Sequence, residues 1–309
     1  MFGAVANTDF GWYQFCRSRP YLDEVNFWRP GSTAFKALQP GEPFFFKLKS
    51  PQQAIAGFGL FARYSLEEVW RTWELFGDGN GAPTQWELLK RLTDLSHQQE
   101  IPSSTRPVGC IAVAEPVFFE PDEWVKAPTD WSPNIVSFKK YDLGYGEGLR
   151  IHRECLERAA AKTDVPEWAS EMEEEMSKFG EARLIRPRLG QGSFRLAVLD
   201  AYGGACAVTT EHSKPALEAA HIKPFHQNGT HRVTNGIPLR RDIHSLFDAG
   251  YVTTAPDRVF QVSDALAEEF SNGKAYYAME GKGILVPNSL DLQPDQDALA
   301  WHSEMVFKG

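Results

Sequence analysis

Hydrophobic positions in the first half of the chain come in short runs broken by glycine and proline. Residues 2–6, 43–48, 57–64 and 108–113 read as strands. Pro30-Gly31, Pro40-Gly41 and Pro51 punctuate them. Two helices are expected here. One follows Thr8-Asp9 through Trp12-Tyr13-Gln14-Phe15-Cys16. The other starts at Ser65, which with Glu68 makes a capping box, and runs to about Phe76. Together they predict a mixed β domain over residues 1–145, with a curved or barrel-like sheet. From 146 to 182 the pattern turns helical and acidic, with Glu171, Glu173, Glu174 and Glu175 in one cluster. A solvated helical connector is the expectation there. Residues 183–309 form a further domain. It has a helix from Gly192 to about Tyr202, a hairpin over 251–262 and a final helix near 295–307. No internal repeat is present. The fold class expected is α+β.

Composition narrows this little. The chain has 309 residues, 42% hydrophobic and 24% charged, with mean hydropathy −0.37. Those are globular values, and no apolar run approaches the roughly 20 residues of a membrane helix. The opening residues meet polar side chains too soon for a signal peptide. The cysteines, at 16, 110, 155 and 206, form no CxxC pair. A cytoplasmic protein with reduced thiols and no structural zinc is expected. Net charge is −9, which by itself disfavours nucleic acid as a partner. The charge is uneven, however. Residues 182–195 carry four arginines and no acid, and residues 221–245 carry Lys223, Arg232, Arg240 and Arg241 against Asp242 alone. Local positive footprints survive.

The chemistry concentrates in this second basic stretch. Five of the eight histidines lie between 212 and 244. His221 sits in Ala219-Ala220-His221-Ile222-Lys223-Pro224. Asn235 follows in Thr234-Asn235-Gly236, and His244 in Asp242-Ile243-His244-Ser245-Leu246-Phe247-Asp248. Metal-assisted phosphodiester hydrolysis needs a neutral imidazole to activate water, a loop that holds it, and a ligand for a divalent cation. His221 is read as the general base. Asn235 is read as the tie between loop and strand, and His244 as the metal ligand.

The segment resembles the HNH endonucleases, in the branch that reads AAHIxP, then N-G-xxL, then DIHxLFD. The likeness covers about residues 186–307. Arg188, Gly190, Gln191, Phe194 and Arg195 match an RxGQxxFR lead-in. Tyr202 and Cys206-Ala207-Val208-Thr209 match the next element, and Leu299, Trp301 and His302 match the tail. The resemblance implies a ββα-metal fold, one divalent cation (Mg²⁺ or Mn²⁺) and cleavage of double-stranded DNA. One departure stands out. Many such sites carry an Asp or His ligand where this chain has Ala220. Asp242 is ranked first as the substitute, with Glu218 or a water molecule as the alternatives. Thr209-Thr210 replaces a second cysteine found in some relatives. Lys223, Arg240, Arg241 and Arg195 are the expected phosphate contacts.

The first domain resembles the EVE-like branch of the PUA superfamily. The motifs are Asn7-Thr8-Asp9-Phe10-Gly11-Trp12, Asn26-Phe27-Trp28-Arg29-Pro30-Gly31, Pro40-Gly41-Glu42-Pro43-Phe44-Phe45-Phe46-Lys47 and Gly57-Phe58-Gly59-Leu60-Phe61. That resemblance implies an aromatic pocket for a flipped, modified base. Trp28, in a turn where it would be exposed, is the first stacking candidate. Trp131 is second, and Tyr141 and Phe27 follow. Asn7 and Asp9 are placed at a cytosine edge, with helix capping as the plain alternative for Asp9. The expectation is a modification-dependent restriction endonuclease, a homodimer on DNA with no membrane partner. Two alternatives stand beside it: a nuclease that senses phosphorothioate or plain sequence, and a non-catalytic nucleic-acid-binding protein with a degenerate HNH fold.

Overall fold

A computed structural model of the chain describes residues 1–30, 33–96, 103–162, 167–179, 187–224 and 227–309. Gly31, Arg183, Arg186, His226 and the expected boundary at 182–183 lie outside them. The chain packs as two compact units, Met1–Gly192 and Ser193–Gly309. No helix among the described residues is long and apolar enough to cross a membrane.

The first unit is built on a seven-stranded mixed sheet. Its elements are β1 (Phe2–Thr8), α1 (Phe10–Arg17), β2 (Glu24–Pro30), β3 (Pro43–Leu48), β4 (Ala54–Glu68), α2 (Val69–Phe76), α3 (Gln85–Ser96), β5 (Pro107–Phe118), β6 (Val125–Lys126), β7 (Phe138–Asp142), α4 (Gly146–Ala160) and α5 (Glu167–Phe179). The strand order is β2-β5-β4-β3-β1-β7, with β6 on β4. Among the described residues only β1 and β3 pair in parallel. The path runs from β2 to β7, and among the described residues no pairing joins these two strands, so the sheet is open there. Register shifts at Phe45/Lys47, Phe58/Leu60 and Phe61/Arg63 mark bulges, which bend strands.

The run Phe44-Phe45-Phe46 shows why the centre of this sheet is apolar throughout. Side chains alternate across a strand. Phe45 stacks on Phe58, 5.7 Å away, on one face. Phe44 and Phe46 meet Phe27 and Trp12 on the other. Both faces are covered, so the strand reads as a continuous hydrophobic run.

α4 and α5 cover the Phe45 face. Ile151, Cys155, Leu156, Trp168, Ala169 and Met172 join one core cluster with Val5, Phe58 and Leu60. The segment expected as a solvated connector is thus part of the first unit. Glu171 and Glu174 are exposed, while Trp168, Ala169 and Met172 recur at helical spacing on the buried face.

Asp9 caps α1, its carboxylate accepting from the Trp12 backbone N–H at 3.0 Å. The Ser65–Glu68 capping box is not formed. Ser65 instead pairs with Cys110 in the β4–β5 ladder, and α2 begins only at Val69. The long ladder, with its many backbone hydrogen bonds, outweighs one cap. Trp28 lies not in an exposed turn but in β2, where it pairs with Cys110 and is only 7% exposed.

Beneath β2 lies a small polar lattice. Asn80 is fully buried, and its amide donates to the carbonyls of Thr72 and Gly77 at 3.1 and 3.0 Å. It accepts from the Asn26 amide at 2.9 Å. The Trp28 indole donates to the Asn80 carbonyl and the Trp12 indole to that of Asn26. Gly81 follows at φ +71°, where a Cβ would sit 2.0 Å from the Trp12 ring. The lattice therefore fixes two indoles. Asn80→Ala removes three hydrogen bonds, two of them buried, and should cost about 2–4 kcal/mol. Urea unfolding followed by tryptophan fluorescence checks this, and a loss under about 1 kcal/mol would contradict it.

The second unit opens in α6 (Gln191–Ala201), which spans the division. There follow β8 (Leu217–His221), β9 (Gly236–Arg240), α7 (Arg241–Asp248), β10 (Val252–Thr254), β11 (Phe260–Val262), α8 (Ala265–Phe270), α9 (Lys274–Tyr277) and α10 (Gln296–Met305). β8 and β9 pair antiparallel from Leu217 opposite Arg240 to His221 opposite Gly236. α7 follows directly, giving a ββα unit. Its core includes Leu217, Ala220, Ile237, Ile243, Phe247 and Leu299.

Candidate active site and a second pocket

His221 ends β8, half-buried. Its ring stacks on Phe194 of α6 at 4.1 Å between centroids, 12° from parallel. Gly236, directly opposite His221, makes that approach possible. A Cβ there would lie 2.4 Å from Val198 and 2.8 Å from the Phe194 ring. His231, which no motif in the sequence marks, lies 5.2 Å from the His221 ring. His221 Nε2 is sealed from solvent without a hydrogen-bond partner.

Burial lowers the His221 pKa from 6.5 to about 4, with the charges of His231, Arg195 and His244 adding to the effect. The imidazole is therefore neutral at pH 7, the form a base requires.

Asn235 spans the loop between β8 and β9. Its Oδ1 accepts from the Lys223 N–H at 2.9 Å, and its Nδ2 donates to the carbonyls of Lys223 and Thr230, both at 2.9 Å. Its own carbonyl accepts from Ile222 N–H at 2.9 Å. These bonds fix the backbone immediately after His221.

His244 lies on α7. Its Nδ1 is 2.7 Å from Glu218 Oε2, and its Nε2 is 3.3 Å from Asp248 Oδ2. Glu218 and Ala220 share one face of β8, so Glu218 stands on the side from which the usual ligand is missing. Arg241 also meets Glu218, at 3.2 Å.

Asp242 is not brought to His244. Its carboxylate takes a bidentate pair from Arg240 at 2.7 and 2.6 Å and a hydrogen bond from Tyr276 at 3.1 Å. The Arg240 guanidinium holds it below the usual carboxylate range. Two residues along a helix are about 200° of rotation, which turns the two side chains apart. Among the described residues no group of three or more His, Cys, Asp or Glu side chains is arranged to hold a metal ion.

The cations divide similarly. Arg240 is committed to Asp242 and Arg241 to Glu218. Arg195 lies in α6, close enough to His221 to influence its protonation. Lys223 forms no ion pair among the described residues, and its ammonium lies 5.4 Å from the Trp301 ring centroid.

The first unit holds a cavity of about 340 Å³ lined by Asn7, Asp9, Trp12, Phe27, Trp28, Arg29, Lys49, Val136 and Ser137. The volume suits a small ligand. Asn7, Asp9 and Trp28 are thus brought together. Tyr141 is not. It is buried in the α4–α5 core, donating to Asp130 at 2.8 Å, and Trp131 packs against the same core. Asn7 is no free edge reader, because its amide is spent on the carbonyls of Ile135 and Val136 and on Lys47.

Residues 206–253 match the family model described as HNH endonuclease. That segment is an HNH endonuclease domain. No curated protein matches the chain. Among solved structures, ASCH from Zymomonas mobilis is 11% identical, with a TM-score of 0.33, over 48% of this chain and 92% of that one. The modification dependent TagI restriction endonuclease is 12% identical, with a TM-score of 0.30, over 99% of this chain and 81% of that one. Likenesses this weak assign no residue.

Two histidines of the second unit contribute to the pH dependence of stability, as does His152 of the first, which burial lowers to about 3. His302 is also lowered to about 4 by burial, and it bridges Thr253 and the Phe247 carbonyl. Both imidazoles take up protons more readily in the unfolded chain. Their contribution is intact above pH 6.5 and is lost as pH falls toward 4. Unfolding measured from pH 8 to 4.5 should show that decline, and a flat profile below pH 6.5 would contradict it.

Proposed function

We propose that the chain is a modification-dependent DNA endonuclease whose second unit hydrolyses phosphodiesters and whose first unit reads a modified base. The match over residues 206–253 carries the nuclease reading, because it falls on the segment that holds His221, Asn235 and His244.

His221 is the general base. With Nε2 sealed, Nδ1 is the nitrogen that takes the proton from water. The water oxygen bonds to phosphorus and one P–O bond breaks. Asn235 positions the imidazole through the loop it clamps. An imidazole and a carboxylate, His244 and Glu218, are the residues that would hold a divalent cation. Two protein donors suit Mg²⁺ or Mn²⁺, which commonly keep waters and take phosphate oxygens as further ligands. When bound, the cation supplies positive charge at the phosphate. Glu218 thus takes the place given first to Asp242. Lys223 is the leading phosphate contact.

In the first unit, Trp28, Trp12 and Phe27 supply apolar walls for a base and Asp9 an acceptor for an exocyclic amine, as on cytosine. The division of labour sets a modified-base reader over residues 1–145, a connector over 146–182, and the nuclease over 183–309.

The test is cleavage, with Mg²⁺ or Mn²⁺, of matched DNAs. They carry plain cytosine, 5-methylcytosine, 5-hydroxymethylcytosine, its glucosylated form, or phosphorothioate. Cutting restricted to a modified-cytosine substrate is expected, with His221→Ala folded and at least about 100-fold slower. Equal cutting of all substrates removes the reader, cutting of phosphorothioate alone changes its cue, and no cutting with either metal removes the nuclease. Double-strand cleavage should run through a homodimer on DNA, which light scattering of the complex would report as twice the chain mass.

A further inference from the structure

We propose that Val136 is a wedge that enters duplex DNA at the place vacated by the base the first unit reads. The inference rests on the reading of the cavity as a base pocket. Val136 is 87% exposed. A lone exposed valine ordinarily carries no meaning. Here three further observations meet on it.

The first is position. Val136 and Ser137 line the cavity together with Trp12, Phe27 and Trp28. The apolar side chain therefore stands at the edge of an aromatic pocket.

The second is rigidity. Asn7 Nδ2 donates to the carbonyls of Ile135 at 2.7 Å and Val136 at 3.3 Å, and Asn7 N–H donates to the Ser137 carbonyl at 2.8 Å. Lys47 Nζ donates in turn to Asn7 Oδ1 at 3.3 Å, which fixes the orientation of the amide. Three successive carbonyls are pinned to β1 while the side chain faces solvent. A side chain presented this way loses little freedom on insertion.

The third is charge. Arg29 and Lys49 line the same cavity, and neither forms an ion pair among the described residues. Unneutralised cations beside a pocket suit the phosphates that flank an extruded nucleotide. A base that leaves the duplex breaks its pair with the opposite base, and an apolar side chain placed in the gap keeps that pair from re-forming.

The test compares the full chain with Val136→Ser, whose polar side chain leaves the loop's hydrogen bonds in place. Binding is measured on duplexes carrying 5-methylcytosine, 5-hydroxymethylcytosine or its glucosylated form, each paired with guanine or set opposite an abasic site. A 2-aminopurine beside the modified base reports broken stacking. Val136→Ser should bind the paired modified duplex at least about tenfold more weakly, with a reduced 2-aminopurine signal. It should bind the abasic duplex, whose base is already unpaired, as the parent does. Equal weakening on both duplexes overturns the wedge, as does no weakening on either. A parent protein with no preference for any modified duplex over plain DNA overturns the base pocket and the wedge with it. A parent with that preference and an unchanged Val136→Ser overturns the wedge alone.

Discussion

The side chain of Asn235 is the constraint on which the candidate active site depends. It closes the loop between β8 and β9 by bonding both the N–H and the carbonyl of Lys223, two residues beyond His221, and it reaches the Thr230 carbonyl as well. Each such bond contributes about 1 kcal/mol net, but leaving its buried partners unmet costs more. The backbone after His221 therefore has one arrangement. Phe194 then holds the ring from the side, through a contact that only a glycine at 236 permits. Backbone clamp and ring stack together orient an imidazole that burial keeps neutral.

The first unit solves a different problem. Its central strands are apolar on both faces, so both faces need cover. α4 and α5 supply it on one side, and Trp12, Phe27 and Phe118 on the other. The indoles on that second side cannot be buried without partners for their N–H groups. Asn26 and Asn80 provide those partners. The same polar lattice that makes burial tolerable also holds Trp12 and Trp28, two walls of the cavity.

Charge is distributed by commitment rather than by count. The chain is acidic overall. Arg240 and Arg241, prominent in the sequence, are each matched to a carboxylate. Lys223 in the second unit, and Arg29 and Lys49 in the first, make no ion pair among the described residues. Each of the three has charge to offer an anionic partner, Lys223 two residues beyond His221 and Arg29 and Lys49 at the cavity.

Much of this was legible in the sequence where the signal is local. Fixed offsets announced His221, Asn235 and His244, since a ββα unit holds such residues at set spacings. Apolar runs located the strands of the first sheet, and Asp9 was readable as a helix cap because capping acts within one turn. The misreadings all turn on partners distant in the chain. Trp28 read as an exposed turn residue until β5 paired with its strand and Asn80 took its indole. Tyr141 read as a pocket wall until α4 and α5 buried it. Asp242 adjoined His244 in sequence, but helical rotation separates them, while the alternation of β8 and the packing of α7 bring Glu218 to His244 from 26 residues away. The sequence by itself determined which chemical groups are present and which local elements carry them. Tertiary structure decided which groups meet, because contact between distant segments depends on pairing and packing that no short pattern records.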